Sequence, residues 1–330
     1  MSWFIFALIA TIGWGCADLF YKMGTDETDK HSHLKIAVWV GLVMGIVAFI
    51  LLPFSESGFN VKSLVVNAIK YTPASLAYII SMVVGYAGLR YLEVSIISPI
   101  QNASGAFSMI AMMIFFLITG TINDDLGDFS ALNIIGTVII VLGVVALAIV
   151  ENRLSRKEEL ETAKSDDEKK KKRKYQFGAL ALLFPIIYCL FDTIGTAADG
   201  IILDEETGLG LGEIDVLILY GLTFLLAGIV CYIYMLIKTK KAYNPFAISE
   251  LTTKGSAACF EEFGQIFYVF AMASKPMLAA PMVASYCIVS VILSRIFLKE
   301  KLKASQYACV IAVIVGIVIL GISEGIGEME

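Results

Sequence analysis

In the stretch ACFEEFGQIFYVF, Ala258 to Phe270, two adjacent carboxylates, Glu261 and Glu262, sit inside a long apolar run. An ionised side chain at membrane depth costs roughly 2.5–3.5 kcal/mol on insertion scales. Such an acid persists where it faces a wet cavity, pairs with another group or takes up a proton. The chemistry open to it is therefore proton exchange or the holding of a cation. Adjacent helical residues point about 100° apart, so the two acids occupy different faces. Glu261 lines up with Gly264, Gln265 and Tyr268, a polar stripe, and is expected to face a cavity. Glu262 lines up with Ile266 and Val269, and more loosely with Gln265, and is expected to matter less or to bond a neighbouring helix.

Two further acids sit in apolar runs, each one helical turn after an aromatic: Asp18 after Trp14, and Asp192 after Tyr188. Both pairs are candidates for opposite walls of a central pathway. Simple solvation, or for Asp18 a pairing with Lys22 at i+4, is the competing reading. Gln101 and Asn102 are polar without charge. They suit a hydrogen bond across helices or a substrate contact, and the Asn102-Ala-Ser sequon carries no meaning inside a span. Tyr78, Tyr86, Ser285 and Tyr286 are candidates of the same kind.

Other chemistries find little support. The only histidines are His31 and His33, in a polar loop, and the six cysteines all lie in apolar stretches without a C-x-x-C pair. No metal site and no cofactor are expected. The Walker pattern is absent, which argues against an ATP-driven pump. A membrane enzyme using Glu261 and Asp192 as acid and base would need a nucleophile or metal among convergent neighbours, and the sequence offers none. The protein is expected not to be an enzyme. A receptor or a channel remains an alternative, although no repeated pore loop is visible.

The elements that must position these residues are membrane spans. Hydrophobic residues make up 58% of the 330, charged residues 17%, and the mean hydropathy is +0.80. A span needs about 20 mostly apolar residues. Ten segments qualify, near 2–22, 34–53, 72–90, 95–119, 130–150, 176–197, 214–237, 254–274, 276–298 and 304–323. The first, MSWFIFALIATIGWGC, lacks a basic leader and reads as an uncleaved span. None alternates as a barrel strand would. The expected fold is an all-α membrane bundle.

Residues 151–175 form a charged segment without a core, read as a flexible linker with room for some helix, between halves 1–150 and 176–330. Its basic block suits a cytoplasmic loop beside anionic lipid better than nucleic acid. With the linker inside, 22 of the 25 Lys and Arg fall on the inner side, and only Lys62, Lys70 and Lys275 fall outside. The positive-inside rule then puts both termini outside a multi-pass protein of the cell membrane.

Five spans on each side of the linker enter the membrane in opposite directions. Without gaps, 88–116 set against 270–298 aligns Pro99 with Pro281, Ser108 with Ser290, Ile114 with Ile296 and Phe115 with Phe297. Two inverted five-helix repeats are a transporter architecture, with the site between them. On "GWG" in the first span, the hairpin GLRYLEVSIISPI, and ILSRIFLKEKLKASQYACVIAVIVGIVILG over the last two spans, the chain resembles the drug/metabolite transporter superfamily, in its ten-span EamA-type branch. Glu300 stands at the family's Leu-x-Glu-x-Leu turn, whereas TGTINDDLGD in the first half has no matching glutamate. The resemblance implies a 5+5 bundle and secondary transport of a small polar metabolite or drug by alternating access. Intramembrane carboxylates would couple it to protons or another cation. The recurrence of Ala308, Ala312 and Gly316 makes a small-residue face, for a homodimer or for internal packing.

Overall fold

The computed structural model describes residues 2–56, 58, 60–121, 130–164, 181–204, 208, 211–299 and 303–327. Glu300 and residues 165–175 of the linker lie outside this set. The main helices are α1 (Trp3–Gly24), α2 (Ser32–Leu51), α3 (Val61–Gly88), α4 (Val94–Asn102), α5 (Ser104–Thr119) and α6 (Ala131–Lys164). They continue as α7 (Leu183–Ile202), α8 (Glu213–Thr239), α9 (Ser256–Ser274), α10 (Pro276–Ala284), α11 (Tyr286–Leu293) and α12 (Ala304–Gly327). In hydrocarbon, backbone polar groups must bond internally, which is why runs this apolar become helices.

Counting α4–α5 and α10–α11 as one each, nine helices among the described residues are long and apolar enough to cross a membrane. The chain is thus a helical, multi-pass membrane protein. The expected eighth span, α9, is not among the nine. Its 19 residues carry Glu261, Glu262 and Gln265, which lower its hydropathy, and its polar face is turned inward.

Three boundaries differ from expectation. The α3 helix starts at Val61, where the Asn60 side chain accepts from the Lys62 N–H, and it runs through Pro73. The α6 helix runs beyond residue 150 to Lys164, because Ala, Glu, Leu, Lys and Arg, which dominate that stretch, are strong helix formers. The α7 helix extends to Ile202, not 197, which brings Asp199 into the bundle.

Helices α4 and α5 are two halves of one span, separated at Ala103, and α10 and α11 are separated at Ser285. The ungapped alignment that sets residue 88 against 270 also sets Ala103 against Ser285. The halves cross closely: a Cβ on Gly105 of α5 would lie 2.3 Å from the Ala284 Cβ of α10, so only glycine fits there.

The helix pairs in contact include α2 with α8, α1 with α9, α3 with α7, α6 with α12, α5 with α10 and α4 with α11, together with α1–α11, α5–α7 and α4–α6. Exchanging the first six helices for the last six leaves the first six pairs unchanged as a set and turns α1–α11 into α7–α5, whereas α4–α6 has no comparable α10–α12 counterpart among the described residues. Two pairs map onto themselves, α1–α9 becomes α7–α3, and α5–α10 becomes α11–α4. The outer face is apolar, with Phe49, Ile118, Leu142 and Val230 exposed, while Tyr71, Tyr268, Met44 and Phe116 are fully buried. Gly316 is buried against Gly136 and Ile140 of α6, so within the chain it serves internal packing, whereas Ala308 is exposed.

Candidate functional site

A cavity lies at the centre of the bundle. It brings together Trp14, Asp18, Tyr78, Gln101, Asn102, Tyr188, Asp192, Glu261, Tyr268 and Tyr286, along with Tyr86. Glu262 and Gln265 are buried but do not line it. The quarter-turn between adjacent helical residues separates Glu262 from Glu261. Gln265, expected on the Glu261 stripe, falls with Glu262, and its Nε2 is buried without a hydrogen-bond partner. Ser285 sits at the α10–α11 break, its hydroxyl bonded to the Met282 carbonyl at 2.5 Å.

Each cavity acid is held by hydroxyl donors on one oxygen. Ser98 of α4 and Ser290 of α11 donate to Asp18 Oδ2 at 2.6 and 2.7 Å. Ser104 of α5 donates to Asp192 Oδ2 at 2.6 Å. Tyr21 donates to Glu261 Oε2 at 3.3 Å, and Tyr86 donates to Tyr21 at 3.1 Å. The donors to Asp18 and Asp192 all come from the two broken spans. Lys22, which the competing reading paired with Asp18, reaches the Leu89 and Leu92 carbonyls at 2.6 and 3.1 Å.

Aromatic rings form the remaining wall. Trp14 stacks obliquely on Tyr268, with centroids 4.9 Å apart, and meets Tyr286 edge-on at 5.7 Å. Tyr21 and Tyr86 lie 4.7 Å apart. Tyr78 meets Tyr220 at 5.6 Å, and its hydroxyl is 2.7 Å from that of Tyr268. Asn102 is turned to its own helix, donating to the Ser98 carbonyl at 2.8 Å. No basic residue is among the described residues that line the cavity. The second oxygen of each acid takes no hydrogen bond from the described protein. The arrangement offers three fixed acceptors and several ring faces, which suits a cation carrying N–H donors or an exposed apolar cationic surface.

Sequence reasoning missed Tyr21, Ser98, Ser104, Thr196, Tyr220 and Asp199. A signal existed for two of them. In α1, Trp14, Asp18 and Tyr21 follow i, i+4, i+7, and in α7 Tyr188, Asp192 and Asp199 follow the longer i, i+4, i+11 of the same face. The serines carry no such mark, because mid-span serines most often bond their own helix.

No family model and no curated protein matches the chain. A solved structure, described only as the crystal structure of a protein, superposes with a TM-score of 0.55 at 10% identity. The match covers 96% of this chain and 96% of that one. At that identity the likeness is one of fold alone.

Proposed function

We propose that the protein is a secondary active transporter that moves a small, positively charged organic solute across the cell membrane by alternating access. The cavity carboxylates exchange that solute for protons. The observation that carries this reading is the meeting of Asp18, Asp192 and Glu261 in one aromatic-walled cavity whose described lining has no basic residue. Three uncompensated negative charges at membrane depth would be costly. Each is relieved by a proton or by a bound cation, so the two compete for the same oxygens.

The largely exchange-symmetric helix pairing and the matched breaks at Ala103 and Ser285 support two inverted repeats that rock about the cavity. They agree with the resemblance to the EamA-type branch of the drug/metabolite transporters. In this reading the 151–175 segment is cytoplasmic and both termini are outside.

The test is a thermal-shift screen of purified protein against tetraethylammonium, an aromatic amine, a neutral sugar and an aromatic carboxylate, repeated with Glu261→Gln. A cation at about 100 times its Kd should stabilise the wild type by about 2.7 kcal/mol, and the variant by much less. Stabilisation by the carboxylate alone would overturn the substrate class. Absence of flux of a stabilising cation in proteoliposomes would overturn transport.

A further inference from the structure

Beyond the cavity wall, α7 carries a fourth acid. Asp199 lies two helical turns past Asp192 on the same helix, is fully buried and does not line the cavity. Tyr71 of α3 donates to its Oδ1 at 2.8 Å, whereas Oδ2 is buried without a hydrogen-bond partner. Tyr78 donates to Thr196 Oγ1 at 3.3 Å and shares a 2.7 Å contact with the Tyr268 hydroxyl in which either oxygen can be the donor. Both hydroxyls lie beside the carboxyl, and in this geometry neither is bonded to Oδ2.

An ionised carboxylate here would leave a charged oxygen buried without a donor, the costly case. A proton added to Oδ2 removes the charge and makes that oxygen a donor. The Tyr268 hydroxyl oxygen beside the carboxyl still has a lone pair to accept it. The step moves a proton from cavity water onto Oδ2, and no other bond changes.

We infer that Asp199 is a proton-binding site separate from the solute cavity, reached from it past the Tyr78 and Tyr268 hydroxyls. The binding itself stands on this geometry, and its use in coupling rests on the transport reading. The titratable groups that face the carboxyl are Tyr71 and Tyr78 of α3, Tyr220 of α8, Tyr268 of α9 and Asp192 of its own helix. Beside Gly200, the next residue of α7, lie Met112 of α5, Met272 of α9 and Pro276 of α10, the last following Lys275 at the head of its helix.

The packing there is close. A Cβ on Gly195 would lie 2.9 Å from the Tyr78 ring, and one on Gly200 would lie 2.3 Å from Met112 Sδ. The helices are thus in close contact at Gly195 and Gly200. The helix exchange that turns α1–α9 into α7–α3 puts the Tyr21–Glu261 bond on the counterpart of the interface holding the Tyr71–Asp199 bond, toward the other end. Each end of the cavity then has one tyrosine–acid bond. A proton on Asp199 favours this close contact, and its release leaves an anion that water entry would stabilise.

The test is infrared difference spectroscopy of purified protein titrated with protons, following carboxylic C=O stretching bands. Asp199→Asn should lack one protonated-carboxyl band. Tyr71→Phe, which removes the Oδ1 donor, should shift the midpoint of that band by about one pH unit. Identical bands in wild type and Asp199→Asn would overturn the site. If that variant does not assemble, unchanged midpoints in both Tyr71→Phe and Tyr268→Phe would overturn it. In proteoliposomes, Asp199→Asn should keep exchange of radiolabelled tetraethylammonium and lower its accumulation driven by a pH gradient, the cavity carboxylates still exchanging solute for protons. A wild type that moves none of this probe counts against the transport reading, while the infrared titration still decides the proton site.

Discussion

The Trp14 indole nitrogen donates to the main-chain carbonyl of Glu261 at 3.1 Å. This bond ties the aromatic wall on α1 to the backbone of α9 at the very residue that carries the cavity acid. The contact is possible because Gly264 leaves space for the indole. A Cβ there would lie 2.4 Å from Trp14 Cδ1 and 2.7 Å from Nε1.

Gly264→Ala should therefore push the indole off α9. Overpacking of this kind costs about 1–3 kcal/mol, so we expect a lower Tm and a changed tryptophan emission spectrum. A Tm and spectrum equal to those of the wild type would show that the indole has another place to go.

Ser104→Ala removes the donor to Asp192 and leaves the α4–α5 break intact. A hydrogen bond to a charged group contributes about 1.5–3 kcal/mol, so cation affinity should fall by roughly tenfold or more. Isothermal titration against a stabilising cation reads this directly. Unchanged affinity would remove Asp192 from the solute site.

Protons and cations compete in our reading, so solute binding should weaken as pH falls, because protonated carboxyls no longer attract a cation. Glu261→Gln should flatten this profile with folding intact, since the amide keeps the shape of the side chain. Glu262→Gln, outside the cavity, should keep the wild-type profile. Uptake against external pH in liposomes distinguishes them. The reverse pattern would mean that Glu262 is the coupling group, and two unaltered profiles would make both acids structural.

Orientation has its own test. In a background with the six native cysteines replaced, a cysteine placed within 151–164 should resist an impermeant thiol reagent in intact cells and react after permeabilisation. Ready labelling in intact cells would invert the topology without touching the bundle.

The helices and the suspicion attached to each acid were legible from the chain alone. Apolar runs long enough to cross hydrocarbon must satisfy their own backbone groups, and a carboxylate inside one stands out by local contrast. Periodicity also separated Glu261 from Glu262, because a quarter-turn between neighbours is a property of any helix. It could not say which helices adjoin or how each is rotated about its axis. Those depend on contacts between distant residues, such as Gly264 with Trp14 and Gly105 with Ala284. Only the tertiary structure could place Gln265 away from the cavity, bring the unmarked Ser98, Ser104 and Ser290 onto Asp18 and Asp192, and leave Asp199 Oδ2 buried without a donor. In the sequence the apolar run ends before Asp199, whereas in the structure α7 continues to Ile202. A helix end is set partly by what packs around it, here Met112, Met272 and Pro276 against Gly200, and that packing exists only in the folded bundle.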